Sequence, residues 1–192
     1  MSAHTGSAST ATSHGGATPS PWVVRFAPLV RAGGLVLDLA AGRGRHARFL
    51  AARGCEVLAV DRDADALATL ADAGVRTLCA DLEQGSWPLA GLRFDAIVVT
   101  NYLHRPQFPD LLAALAPDGV LVYETFADGN ARFGKPSRPE FLLQPDELLD
   151  CFGKALRVVA FEQGEVAQPV PAVIQRLCGV GRGRPWPPGP LA

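Results

Sequence analysis

The stretch Leu35-Val36-Leu37-Asp38-Leu39-Ala40-Ala41-Gly42-Arg43-Gly44 runs an apolar strand straight into a glycine turn, and no other segment constrains the fold as strongly. Residues 35–39 have the aliphatic content of a buried strand. The small residues after it let the backbone turn sharply and pass close to a bulky ligand. A helical stretch follows: Phe49 and Leu50 are apolar, Arg45, His46, Arg48 and Arg53 give a basic face, and Gly54 sits where a C-cap is wanted.

The same alternation continues down the chain. Residues 56–60 read as a second strand ending at Asp61, and 63–70 as a helix with acids in its first turn. A third strand, 75–80, ends at Asp81. Residues 94–100 form a fourth, 111–115 a helix, and Pro117-Asp118-Gly119 a turn into a fifth strand, 120–125. A helix near 145–152 and strands at 156–161 and 172–178 complete the series. Strands spaced by helices imply βαβ units in a doubly wound, mostly parallel α/β sheet. The 162–171 connection is of hairpin length, so one of the last two strands is expected to run antiparallel.

The composition suits one soluble globular domain: 192 residues, 48% hydrophobic and 19% charged. No apolar run reaches the ~20 residues a membrane span needs. Residues 1–20, rich in Ser, Ala, Thr and Gly, lack the basic start and apolar centre of a signal peptide. They read as a disordered tail, of which residues 1–18 should add nothing to folding, and the Gly, Pro and Arg of 181–192 read as a second tail, which leaves 21–180 as the domain. A net charge of −1 supplies no broad field for nucleic acid. The four cysteines, Cys55, Cys79, Cys151 and Cys178, lack metal-ligand spacing and read as reduced, mostly buried thiols of a cytoplasmic protein, with no metal site.

In a doubly wound sheet, ligands lie beyond the carboxyl ends of the strands at the switch in strand order. Here the first strand ends in the glycine turn, the second in Asp61 and the third in Asp81-Leu82. Asp61 can accept hydrogen bonds from both hydroxyls of a ribose. Asp81 can accept from an exocyclic amine while a backbone N–H donates to a ring nitrogen. Together they describe a nucleoside laid across three strand ends.

At these residues the chain resembles the class I S-adenosylmethionine-dependent methyltransferases. Residues 36–44 are similar to the family's glycine-rich motif, Val60-Asp61 to its ribose-binding acid, and Ala80-Asp81-Leu82 to its adenine-binding step. Phe94-Asp95-Ala96-Ile97-Val98-Val99 and Leu115-Ala116-Pro117-Asp118-Gly119-Val120-Leu121 resemble two later motifs, so the likeness covers residues 33–126. Within the superfamily the chain looks nearest to small, tellurite-resistance-like enzymes. The resemblance implies a seven-stranded sheet whose last-formed strand inserts antiparallel, and S-adenosylmethionine as cofactor. It implies Gly42 and Gly44 under methionine and ribose, Asp61 on the ribose, and Asp81 with Leu82 at the adenine. Asp38, Ala40, Arg62 and Thr100 complete the expected cofactor set.

Methyl transfer from a sulfonium needs alignment and water exclusion, and a base only if the nucleophile starts protonated. The acceptor is then expected near Asn101, Tyr102 and His104, with His104 as a possible base and Glu124 and Thr125 facing the same crevice. Arg132, Lys135 and Arg138 make a cationic loop, 127–139, that can close over a small molecule. Arg25, Arg45 and His46 compete for the methionine carboxylate. The expected acceptor is a small molecule, with nucleic acid disfavoured and the oligomeric state open. A non-catalytic cofactor-binding subunit and an RNA methyltransferase are alternatives. So is a nicotinamide-dependent oxidoreductase, since Gly42-Arg43-Gly44-Arg45-His46-Ala47 also satisfies G-x-G-x-x-A. Against that last reading stand Asp38 within the first strand and Asp81 at the third strand end.

Overall fold

The computed structural model describes residues 18–189. Seven strands form one sheet: β1 (Leu35–Leu39), β2 (Glu56–Asp61), β3 (Arg76–Cys79), β4 (Phe94–Thr100), β5 (Leu115–Phe126), β6 (Leu156–Val166) and β7 (Ala172–Gly181). Their order in space is β3-β2-β1-β4-β5-β7-β6. The first five pair in parallel, and β7 runs antiparallel to both β5 and β6. Strand order reverses between β1 and β4, which opens the crevice beyond their carboxyl ends.

Side-chain alternation along the central strands decides what each face meets. Leu37, Leu39, Ile97, Val99, Leu121 and Tyr123 pack with α4 (Phe108–Ala114) and α5 (Glu147–Phe152). Val36, Ala96, Val98, Val120 and Val122 face the other way. They pack with α1 (Pro21–Phe26), α2 (Arg45–Ala51) and α3 (Ala64–Ala68) through Trp22, Phe26, Ala47, Leu50 and Leu67. Asp38, Thr100 and Glu124 share the parity of this second set, and that places them on the α1–α2 side.

Four expectations are corrected. The turn Pro117-Asp118-Gly119 lies inside β5 as an interruption, with Leu115 pairing Phe94 and Val120 pairing Ala96. The last two strands are longer than their apolar runs, because pairing in a hairpin carries polar residues such as Glu162 and Gln163 into the ladder. The tail boundaries also move inward. Ser20 is buried as the N-cap of α1, its hydroxyl accepting the Trp22 amide at 3.1 Å. At the other end, Gly181 closes β7, and Arg184 donates to the carbonyls of Leu29 at 2.6 Å and Asp118 at 3.2 Å. Residues 1–17 and 190–192 of the two expected tails lie outside the described residues. The cysteines are all free, but only Cys178 is buried. Cys79 is on edge strand β3 and Cys151 is exposed on α5, positions no spacing rule reveals. Among the described residues, no helix is long and apolar enough to cross a membrane.

Candidate active site

The glycine turn is built on positive φ. Ala40 (φ 53°), Gly42 (54°) and Gly44 (68°) alternate left-handed backbone with ordinary residues, which brings the chain from β1 into α2 within five residues. Gly44 has no choice of residue, since a Cβ there would lie 2.4 Å from Leu70 Cδ2. Gly42 differs. A Cβ on it would meet nothing within 4 Å, so the turn presents bare backbone to open space. Asp61 holds this turn in place, its Oδ2 accepting the Gly42 amide at 2.7 Å and its Oδ1 the Asp63 amide at 2.9 Å. Each oxygen has a second lone pair that can accept a further hydrogen bond. Asp81 repeats the device at β3, accepting the Glu83 amide at 2.9 Å. Arg62, next to Asp61, is exposed. Leu82 is buried, its carbonyl taken by the side chain of Gln107.

Behind the turn lies a buried polar cluster. Asp38, 1% exposed, accepts the Ala47 amide at 2.9 Å, tying the end of β1 to α2. Burial pushes its carboxyl up to about 7, against the opposing pull of the Ala47 amide and of Arg45. His46 is 2% exposed. Its Nε2 accepts the Ser20 amide at 3.1 Å, so the neutral ring carries its proton on Nδ1, toward Thr100 Oγ1 at 3.4 Å. Burial, with Arg45 adjacent, lowers its pKa to about 3. His46 is therefore a neutral connector between the N-terminal segment and β4, and cannot serve as a cation for a carboxylate. Thr100 is spent on that contact.

Ser20 also donates from Oγ to Glu124 Oε1 at 2.7 Å. Glu124 Oε2 accepts from Arg176 at 3.2 Å, and Arg176 passes on to Glu162 Oε2 at 2.5 Å. Arg25 meets the other Glu162 oxygen at 3.1 Å. Arg176 lies 4.7 Å from the centroid of the Trp22 ring. Glu124 thus belongs to this strap, on the opposite face of β5 from Thr125, and Arg25 is occupied within it. Sequence reasoning missed Ser20, Glu162 and Arg176, because their partners are separated by up to 137 positions in the chain. Of the three cations considered for the methionine carboxylate, Arg45 remains. It is half-buried and makes no ion pair among the described residues, with Glu124 and Asp38 the nearest charges acting on it.

A cavity of about 570 Å³ opens at the ends of β4 and β5. Asn101 (φ 55°), Tyr102 and Leu103 line one side, Thr125 and Phe126 the floor, and the 135–138 segment with Phe141 the other side. Tyr102 is held by its own carbonyl, which accepts the Tyr123 hydroxyl at 2.9 Å, and burial raises its phenol pKa. His104 is not on the cavity wall; it precedes the 3-10 turn Arg105–Gln107. The cationic loop splits. Lys135 and Arg138 line the cavity, whereas Arg132 is drawn away to Glu165 at 2.5 Å. Residues 130–139 carry no acid of their own, so this pairing across to the β6–β7 hairpin was invisible in the motif.

An α/β sheet of this strand order, with a glycine turn and carboxylates at successive strand ends, has the fold of the methyltransferase structures it resembles. Residues 36–119 match the model of a family described as a methyltransferase domain. Over β1 to the start of β5 the chain is thus similar to methyltransferase domains. No curated protein matches it by sequence. Similar solved structures include TehB from Haemophilus influenzae, at 18% identity and a TM-score of 0.68. That match covers 83% of this chain and 61% of TehB, so the chain spans less than two thirds of that protein. The N-methyltransferase NodS from Bradyrhizobium japonicum, in complex with S-adenosyl-L-homocysteine, matches at 20% identity and a TM-score of 0.62, over 82% of this chain and 83% of NodS. The 1,6-didemethyltoxoflavin-N1-methyltransferase of Burkholderia thailandensis matches at 20% identity and 0.60, over 83% and 76%.

Proposed function

We propose that this methyltransferase transfers the methyl group of S-adenosylmethionine to a small molecule seated between the end of β4 and the 135–138 segment. The observation that carries the reading is the 570 Å³ cavity, lined by Asn101 just past the end of β4 and by Glu83, two residues after Asp81. The residues present fit the cofactor: bare backbone at Gly42, and carboxylates with acceptor capacity to spare at Asp61 and Asp81.

In this reading Asp61 holds the ribose hydroxyls, Asp81 and the Leu82 backbone the adenine, and Arg45 the methionine carboxylate by charge-assisted hydrogen bonds. The bound sulfonium supplies an electrophilic methyl group. What the chain contributes is position and dryness. Tyr102 and Leu103 hold the acceptor in line beside Asn101, and the 135–138 segment with Phe141 keeps water out. Tyr102, with its raised pKa, acts as a hydrogen-bond donor and wall, not as a base. His104 stands outside the cavity wall and takes no proton.

The test is transfer of labelled methyl from S-adenosylmethionine into a small-molecule extract and, separately, into total RNA. Label in the small-molecule fraction, abolished by Asp61→Ala, is expected. Label in RNA alone overturns the choice of acceptor. Cofactor binding with no transfer to either favours the non-catalytic subunit.

A further inference from the structure

We propose that the acceptor is a flat aromatic acid, its ring stacked beside Tyr102 and Phe141 and its ionised group met by Lys135; this rests on the small-molecule reading above. Tyr102 and Phe141 both line the cavity, and Phe141 is 41% exposed although it is a large apolar side chain with the Arg138 guanidinium 5.4 Å from its ring centroid. The part of that ring left to water beside a cavity gains by stacking a second ring on it.

The charges narrow the class. Arg132 is paired with Glu165 and Arg138 with Glu140, while Lys135 has no carboxylate partner among the described residues. The acid on the wall, Glu83, follows the end of β3. Lys135 follows β5, on the other side of the strand-order switch. An anion entering this cavity is drawn to the loop and turned away from Glu83, which fixes one orientation for the ring. Within the wall no imidazole and no buried carboxylate stands ready to remove a proton. The attacking atom therefore arrives with its lone pair free: its electrons form the bond to the methyl carbon, and the sulfur–carbon pair returns to sulfur.

The experiment uses the full chain saturated with S-adenosyl-L-homocysteine, whose own binding is first measured by calorimetry. Benzoate, 1-naphthoate and indole-3-acetate are then titrated against their carboxamides. The acids, led by the two-ring members, should bind about tenfold or more tighter than the amides, the size of one charge-assisted hydrogen bond. Lys135→Ala should erase that preference, Lys135→Arg restore it, and Arg132→Ala leave it intact. Equal binding of acids and amides, no binding of either, or a preference that survives Lys135→Ala would overturn the inference. Absence of heat with S-adenosyl-L-homocysteine would instead strike the cofactor reading beneath it.

Discussion

The amide of Gly42 donates to Oδ2 of Asp61 at 2.7 Å, so the carboxylate at the end of β2 braces the turn that leaves β1. One side chain thus shapes the crevice and lines it. Asp61→Ala removes both functions, whereas Asp61→Asn keeps one acceptor oxygen for the two amides it now serves. Calorimetry with S-adenosyl-L-homocysteine should show a loss of about 1.5–3 kcal/mol for the alanine variant, and a smaller loss for asparagine. Unchanged affinity in Asp61→Ala would remove this residue from the cofactor site.

The two glycines of the turn should respond differently. Gly44→Ala combines φ 68° with a Cβ 2.4 Å from Leu70 Cδ2, and should cost about 2 kcal/mol or more in urea unfolding. Gly42→Ala meets only the left-handed backbone penalty of about 1 kcal/mol, yet its methyl group enters the open space above the turn. It should fold and lose cofactor affinity. Equal behaviour of the two variants would contradict the open cradle.

Asp38 and His46 tilt the stability of the cofactor-free protein in opposite directions. Asp38 titrates at about 7 when folded, above its ordinary carboxylate range, so the folded chain binds the extra proton. Stability from this group is present at low pH and falls as pH rises from about 4 to about 7, by up to ~1.4 kcal/mol per unit. His46 is held near 3, below its ordinary value, so its contribution is present above about 6.5 and lost as pH falls toward 3. Denaturant unfolding across this window should show Asp38→Asn gaining on the parent as pH rises. His46→Gln, which can still accept the Ser20 amide, should gain as pH falls. Parallel pH profiles for parent and variants would show that neither group is buried in its charged form.

Arg176 is the hinge of the strap that fastens α1 to the sheet, with its side chain 23% exposed and Glu124 13%. Arg176→Met strands the Glu124 carboxylate and removes the contact with Trp22. It should lower stability by about 2–3 kcal/mol, against under ~1 kcal/mol for breaking the exposed Arg132–Glu165 pair. Thermal melts of the two variants compare them directly. Equal shifts would mean that the strap contributes no more than a surface ion pair.

His104→Ala should retain turnover to within about twofold once an acceptor is in hand, as for a residue outside the reacting geometry. A large fall in kcat at unchanged KM would restore the histidine as a base.

Local pattern carried the parts of this molecule that local physics decides. The strands at β1 and β4 and the acids Asp61 and Asp81 were legible because apolar runs end abruptly in turn residues. The antiparallel pairing of β6 with β7 followed from a connection too short for a helical crossover, which does not by itself say which of the two opposes the sheet. Contacts across the fold were not legible. His46 reads as part of a basic face but is a buried neutral ring, because its partners Ser20 and Thr100 come from two other segments. Arg132 reads as one of three loop cations until Glu165 is found beside it. Neither pairing leaves a periodic trace along the chain.

The insertion of β7 between β5 and β6 has a consequence for how the polypeptide is made. On a ribosome β6 emerges before the strand that must separate it from β5, so it has no partner in its final position until residues 172–181 are free of the exit tunnel. The five parallel strands can assemble beforehand, but that half-sheet exposes the edge of β5, a template for a neighbouring nascent chain. Release of the final segment therefore both completes the sheet and closes the period in which the newborn protein is open to mispairing.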